Sequence, residues 1–254
     1  MNRFFVVPSQ VNQQARTISI VGDDVKHIGK VLRLVVGDLV EVCDGQALEY
    51  IGRIDEISKE QVTLSIEKQE NIFTEPPIQV RLYQGIPKAT KMELIIQKTT
   101  EMGISDIIPV MTDRTIVQFN NEKDREKKVE RWQKIADEAS KQSKRGKIPR
   151  IHIPMTYTKA LEACNENDLN VLAYEKEKTM GLKALIASLV EITEVKSIGI
   201  WIGPEGGFTG KEIEKALSHD VRSITLGPRI LRTETAGFAV LSMLMYELGD
   251  LGGA

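Results

Sequence analysis

The sequence predicts an α/β protein in two parts: a small β domain over residues 1–72 and an α/β domain with a mainly parallel sheet over residues 73–254. Three observations carry this. Short β-branched runs with turn dipeptides fill the first part, Thr74-Glu75-Pro76-Pro77 breaks the pattern, and from Ile78 onward strand-length apolar runs alternate with longer helical segments. Alternation of that kind joins parallel strands through helical crossovers and covers both faces of the sheet.

In the first part, residues 17–20, 39–43, 47–57 and 61–66 read as strands, and Asp44-Gly45 is a hairpin signal. Residues 27–34 read as a short helix with Lys30 and Arg33 on its polar side, so a small barrel with one helix fits. After the Pro76-Pro77 break a strand is expected at 78–84. Met92, Ile95, Ile96 and Thr99 then recur at helical spacing, and Gly103 stands at the helix stop. Further strands are expected at 106–110, 170–174, 197–202 and 223–226.

The longest helix expected, residues 121 to about 144, is charged nearly throughout. From Ala139 to Arg150 the charge is one-sided: Lys141, Lys144, Arg145, Lys147 and Arg150 with no acid. Such a run is either a solvated face or a patch for the phosphates of a nucleic acid. The last helix, 235–248, places Leu241, Leu244, Met245 and Leu248 on one stripe, while Phe238, Val240 and Met243 cover much of the rest. A helix apolar all round must be buried, against its own domain or a second subunit.

Composition limits the classes. A chain of 254 residues, 41% hydrophobic and 28% charged, suits a folded globular protein. No apolar run reaches bilayer length, and the apolar start is cut short by Pro8, so a cytoplasmic location is expected. Cys43 and Cys164 lie far apart and His27, His152 and His219 have no ligand spacing, so neither a disulfide framework nor a metal is expected. The net charge of −2 means that any polyanion must be met by a local patch.

Two loops carry the chemistry. The strand at 197–202 runs into Gly203-Pro204-Glu205-Gly206-Gly207-Phe208-Thr209, and the strand at 223–226 into Gly227-Pro228-Arg229-Ile230-Leu231-Arg232-Thr233-Glu234-Thr235-Ala236. Ligands of open α/β sheets bind beyond the carboxyl ends of strands, and glycines there let backbone approach closely. The plainer alternative is a tight turn and a surface ion-pair cluster of Arg229, Arg232 and Glu234. Two nucleotide signatures fail: Glu205 stands where a phosphate-binding loop ending in Gly210-Lys211 needs glycine, and Gly203, Gly206 and Gly207 do not fit the dinucleotide fingerprint.

These two loops, with Glu212 after the first, closely resemble the SPOUT superfamily of S-adenosylmethionine-dependent RNA methyltransferases. Within it they resemble the RsmE family of 16S ribosomal RNA (uracil-N3)-methyltransferases. Arg3-Phe4-Phe5, residues 27–33 and 88–103, and Glu138-Ala139-Ser140-Lys141-Gln142-Ser143-Lys144-Arg145 support the likeness, which covers nearly the whole chain. The resemblance implies a PUA-like β-barrel that helps bind RNA, an α/β domain with a deep trefoil knot, a cofactor held by the knot loops, and a homodimer made partly by the last helix. Sequence patterning alone excludes knots by default.

Carried onto this sequence, the resemblance implies that Leu172, Ile202, Gly203, Pro204, Glu205, Gly206, Leu226, Gly227, Ile230 and Leu231 hold S-adenosylmethionine, with Thr235 and Ala236 nearby. Arg232 or Arg229 would stabilise charge on uracil carbonyl oxygens, and Glu205 or Glu234 would act as base or orient an arginine. RNA phosphates would meet Lys141, Lys144, Arg145 and Arg150, with Lys30, Arg33, Lys88, Lys91 and Arg114 as further contacts. The substrate implied is 16S rRNA, within the 30S subunit. Ribose 2′-O methylation and a non-catalytic role in RNA binding or ribosome assembly are the alternatives.

Overall fold

The computed structural model describes residues 1–119, 121–189 and 194–253. The chain forms two compact units, one of Met1–Glu75 with Ser140–Ile148 and one of Pro76–Ala139 with Pro149–Ala254. The first unit therefore ends at Glu75 rather than at 72, and it takes in a later segment that the expected division gave to the α/β part. Ion-pair chemistry explains the addition: Arg3 donates to the carbonyls of Lys144 and Arg145 at 2.7 and 3.0 Å, and Arg145 pairs with Glu75 at 2.6 Å.

In the first unit β1 (Arg3–Phe5), β2 (Val11–Asn12), β3 (Thr17–Val21), β4 (Leu39–Cys43), β5 (Leu48–Ile57) and β6 (Gln61–Asn71) make one curled sheet in the order β1-β4-β5-β6-β3-β2. Period-two alternation points Ile18 and Ile20 of β3 and Val62 and Leu64 of β6 into one core with Phe4, Val40, Val42 and Ile54. Asp44 fixes the hairpin between β4 and β5, its Oδ1 accepting the amides of Gln46, Ala47 and Leu48 at 2.9 to 3.0 Å. The helix expected at 27–34 begins earlier, as α1 (Asp23–Lys26), and continues in a wider turn over His27–Val31 that buries Ile28. The strand β1 was not expected from the sequence; it is too short for a periodic signal.

The second unit contains β7 (Gln79–Gly85), β8 (Asp106–Met111), β9 (Arg150–Ile151), β10 (Met155–Thr156), β11 (Leu169–Ala173), β12 (Ser197–Ile202) and β13 (Val221–Ile224). Every described pairing in this sheet is parallel, in the order β10-β8-β7-β12-β11-β13 with β9 also on β8. All six residues of β12 are buried, as a central strand covered on both faces requires. Trp201 of β12 stacks on Tyr83 of β7 with ring centroids 4.4 Å apart. Gly199 is needed there, since a Cβ on it would lie 2.1 Å from Asn170 Oδ1.

The helices are α2 (Lys91–Glu101), α3 (Glu122–Gln142), α4 (Tyr157–Ala163), α5 (Leu182–Ser188), α6 (Gly210–Leu217) and α7 (Thr233–Glu247). Gly103 takes φ of 92° just after α2, the left-handed conformation that ends a helix and that glycine adopts without penalty. The last helix buries Val240, Leu241, Leu244 and Met245, while Met243 and Tyr246 remain 39% and 70% exposed. It is therefore not apolar-buried on every side. No helix among the described residues is long and apolar enough to cross a membrane.

Candidate active site

Strands β12, β11 and β13 are neighbours, so the loops at their carboxyl ends converge. After Ile202 the chain turns through Gly203 to Gly207, closed by the Gly207 amide donating to the Pro204 carbonyl at 2.9 Å. Gly203 is pressed so closely that a Cβ would sit 2.9 Å from Gly207 Cα, and one on Gly85 would sit 2.5 Å from Pro204 Cδ. The exit is anchored more firmly. Phe208 is buried against Tyr157, and Thr209 caps α6 in a reciprocal box with Glu212. The Glu212 carboxylate, 5% exposed, also accepts the Asp113 amide at 2.9 Å. Gly203 to Gly207 is thus a tight arc held at both ends.

The second loop is looser. Thr225 donates its amide to the Met180 carbonyl at 2.8 Å, and Gly227 follows with φ of 98° and open space where a Cβ would be. Among the described residues the amides of Leu226, Ile230 and Leu231 find no hydrogen-bond partner. Order returns at Thr233, whose hydroxyl donates to the Gly203 carbonyl at 2.7 Å and accepts from Gln84 Nε2 at 2.9 Å. Gln84 is fully buried, so the start of α7 is tied through it to β7.

Between the loops lies a cavity of about 580 Å³, within the usual range for small-molecule sites. Ile202, Leu226 and Leu231 make its wall apolar, and Ile230 stands 88% exposed at its edge. Unpaired amides beside an apolar wall suit a heterocycle whose edge is read by main chain. S-adenosylmethionine fits this description: its adenine offers such an edge and face, and its amino-acid end offers charges that Glu175, Arg229 and Arg232 on the same wall can meet.

The charged groups are unevenly paired. Lys91 Nζ lies 2.9 Å from Glu205 Oε1 and 3.7 Å from Glu234 Oε2. Glu205 also accepts the Lys88 amide at 3.1 Å. Burial pushes the Glu205 carboxyl up, but the Lys91 ammonium and the amide bonds outweigh it and hold the group below its ordinary range. The Glu205 hydrogen bond, against a smaller opposing effect of burial, holds Lys91 above the usual ammonium range. Glu234 Oε2 is buried with no hydrogen-bond partner. Among the described residues neither Arg229 nor Arg232 makes an ion pair, so the surface cluster offered as the plainer alternative is not formed.

Residues 74–245 match the model of the RNA methyltransferase domain and residues 20–67 that of the RNA methyltransferase PUA domain. The ribosomal RNA small subunit methyltransferase E of Bacillus subtilis is 37% identical over all of this chain and 99% of its own length. The chain belongs to the ribosomal RNA small subunit methyltransferase E family. The enzyme of that name from the Buchnera aphidicola of Acyrthosiphon pisum is 33% identical over 91% of this chain and 88% of its own. A solved member of the family, from Neisseria gonorrhoeae and bound to S-adenosylmethionine, superposes with a TM-score of 0.86 at 27% identity, covering 99% of each chain.

In this family member the curled first sheet is the PUA-like domain and the parallel sheet the methyltransferase domain. Of the residues expected at the cofactor, Ile202, Gly203, Pro204, Glu205, Gly206, Leu226, Gly227, Ile230, Leu231 and Ala236 line the cavity. Leu172 and Thr235 do not: Leu172 is buried in the core of β11, one residue short of the strand end, and Thr235 points to solvent on α7. Of the residues expected in catalysis, Arg229, Arg232 and Glu205 line it, whereas Glu234 sits at its margin against Lys91.

The basic residues divide. Lys91 faces the cavity, and Arg114 donates to the Gly206 carbonyl in the first loop. Arg145 is 4% exposed and bonded to Glu75, which makes it a fold residue rather than a phosphate contact. Lys141 pairs with Asp24 at 2.8 Å and Lys144 with Glu41 at 3.1 Å. Lys30, Arg33, Lys88 and Arg150 are exposed. Sequence reasoning missed Tyr174, Glu175, Thr225 and Thr233 on the cavity wall. The carboxyl end of β11 was the signal that could have found the first two, since it adjoins the strand ends already singled out.

Proposed function

We propose that the protein transfers a methyl group from S-adenosylmethionine to N3 of a uracil in the 16S ribosomal RNA of the small subunit. The observation that supports it most is the one cavity in which unpaired amides of Leu226, Ile230 and Leu231 stand beside the unpaired guanidinium groups of Arg229 and Arg232. The first set suits the cofactor, the second an electron-rich base. When bound, the cofactor supplies a methyl group already activated on a sulfonium.

What remains for the chain is positioning and proton transfer. Gly203, Gly206 and Gly227 let backbone close on the cofactor, with Ile202, Leu226 and Leu231 as its apolar wall. Uracil N3 is a poor nucleophile while it holds its proton. Glu205 has both carboxylate oxygens engaged and a lowered pKa, so it is a weak acceptor. Glu234, whose side chain is 14% exposed beside Lys91 at the cavity margin, is the remaining carboxylate and takes the N3 proton. Arg229 and Arg232 hold the uracil carbonyl oxygens or the adjoining phosphate.

The same reading includes a trefoil knot, a homodimer, a cytoplasmic setting and action on the 30S subunit. The knot rests on the family to which the chain belongs. The dimer is supported by exposed Leu94, Met243 and Tyr246 on the packed pair α2 and α7. Calorimetric titration with S-adenosylmethionine, with ATP and NAD as controls, tests the cofactor. Mass spectrometry of nuclease digests then locates the methyl in small-subunit RNA taken from cells lacking the protein and treated with it. Selective micromolar binding and N3-methyluridine are expected; a 2′-O-methyl product or no cofactor binding would overturn the reading.

A further inference from the structure

Of the three cations described on the cavity wall, Lys91, Arg229 and Arg232, Lys91 alone has no task yet. Lys91 opens α2, lines the cavity, and is held between two carboxylates from separate segments, Glu205 at 2.9 Å and Glu234 at 3.7 Å. Its side chain is 31% exposed and Glu205 takes one of its three protons, so a donor remains for a ligand. Glu205 is itself fixed from behind by the Lys88 amide, which clamps the ammonium on the wall.

We propose that Lys91 is a catalytic residue: its ammonium donates to the uracil carbonyl oxygen beside N3 and stabilises the N3 anion from which methylation proceeds, with Glu205 as the residue that positions it. The inference rests on the N3-methylation reading and adds a residue and a role to it. Three considerations favour Lys91 over the two arginines for this task. Arg229 and Arg232 are exposed and unpaired, so each must be ordered when RNA arrives. Lys91 is already held by Glu205 at 2.9 Å, and a preorganised donor costs no reorganisation at the moment of reaction. Its neighbour Glu234, 3.7 Å away, is the carboxylate assigned the N3 proton, so the donor to the carbonyl oxygen and the acceptor from N3 stand side by side. In the proton step the N3–H bond breaks, its electron pair stays on N3 and delocalises onto the carbonyl oxygens, and the proton moves to Glu234. The groups facing the ammonium are Glu205, Glu234 and Arg232, with Arg229 and Glu175 elsewhere on the wall.

The test compares the full-length protein with Lys91→Met, Lys91→Arg and Glu205→Gln on unmodified 30S subunits, measuring single-turnover rates from about pH 6 to 10. An ammonium beside N3 favours its anion, so its loss shifts the rate profile to higher pH. Lys91→Met is expected to lose about 10²-fold near neutrality and to recover as pH rises, with Lys91→Arg intermediate and calorimetric S-adenosylmethionine affinity within about threefold of the parent. Glu205→Gln, which loosens the ammonium that Glu205 positions, should lower the rate with a smaller alkaline shift. A second readout needs no turnover: the N3 pKa of 5-fluorouridine monophosphate, followed by ultraviolet absorbance, should fall on binding to the parent and not on binding to Lys91→Met. A Lys91→Met profile parallel to that of the parent, or an equal fluorouridine pKa in both, overturns the inference while N3 methylation stands. A parent that methylates another atom overturns the reading and the inference together.

Discussion

Thr233 Oγ1 lies 2.7 Å from the carbonyl oxygen of Gly203, so the first residue of α7 fastens the loop that follows β12. The same hydroxyl accepts from buried Gln84, which makes one side chain the junction of three segments. Thr233→Val keeps the shape and removes both bonds. It is expected to cost about 1–3 kcal/mol in denaturant unfolding and to weaken cofactor binding in calorimetry, while Thr233→Ser recovers most of both. Unchanged affinity in the valine variant would show that this junction does not shape the cavity.

Glycine clearances give a ranked prediction. A Cβ on Gly85 or Gly203 would press on Pro204 or on Gly207 backbone, whereas one on Gly227 meets open space and only the cost of its positive φ. Gly85→Ala and Gly203→Ala should abolish measurable S-adenosylmethionine binding by displacing the arc. Gly227→Ala should lose about 1–2 kcal/mol of stability and weaken binding only in part. The reverse order would mean that the second loop, not the first, sets the cavity.

Arg145 was expected to meet RNA and instead forms a buried pair with Glu75. Arg145→Ala should therefore destabilise the first unit by about 3–5 kcal/mol, since an uncompensated carboxylate is left behind. Charge reversal of exposed Lys30, Arg33 or Arg150 should instead leave stability alone and weaken RNA binding. Their loss should flatten the salt dependence of RNA affinity by roughly 0.7–0.9 in slope per phosphate contact, measured by filter binding at graded salt.

Glu177 makes an acid-sensitive clamp. Its carboxylate accepts from the Thr179 hydroxyl and amide, the Ser223 hydroxyl and the Met180 amide, which lower its pKa from 4.5 to about 2. A depressed folded-state pKa contributes stability that is complete above the unfolded value and lost as pH falls through the folded one. The stability difference between parent and Glu177→Gln, read from urea midpoints, should thus be largest above pH 4.5 and shrink towards pH 2. Because the group is largely solvent-screened, the difference should be small in magnitude and weaker at high salt. A difference independent of pH would remove the charge from the explanation.

Much of this architecture was legible in the residues. Expected strands at 39–43 and 197–202 coincide with β4 and β12, because a short run of β-branched and apolar residues carries its own signal. The two glycine-bearing loops were found for a similar reason: glycine and proline mark turns, and strand ends place them at one edge of a sheet. What was not legible depended on contacts remote in sequence. The basic run from Lys141 to Arg150 read as one patch, yet its members separate into a buried pair, two carboxylate-bound lysines and exposed groups. No local pattern reports that Glu75, Asp24 and Glu41 are their partners.

The sequence by itself determined the two-part α/β plan and the two glycine-bearing loops at one sheet edge, since periodicity and turn chemistry act over a few neighbouring positions; the residues expected at the cofactor followed from the family resemblance. Only the tertiary structure decided which charges are available. Lys91 and Glu205 are separated by 114 positions and Thr233 and Gly203 by 30, and each pair is brought together by the parallel sheet rather than by the chain between them. Whether a side chain binds, stabilises or catalyses depends on the free energy of its partners, and those partners are assigned by the fold.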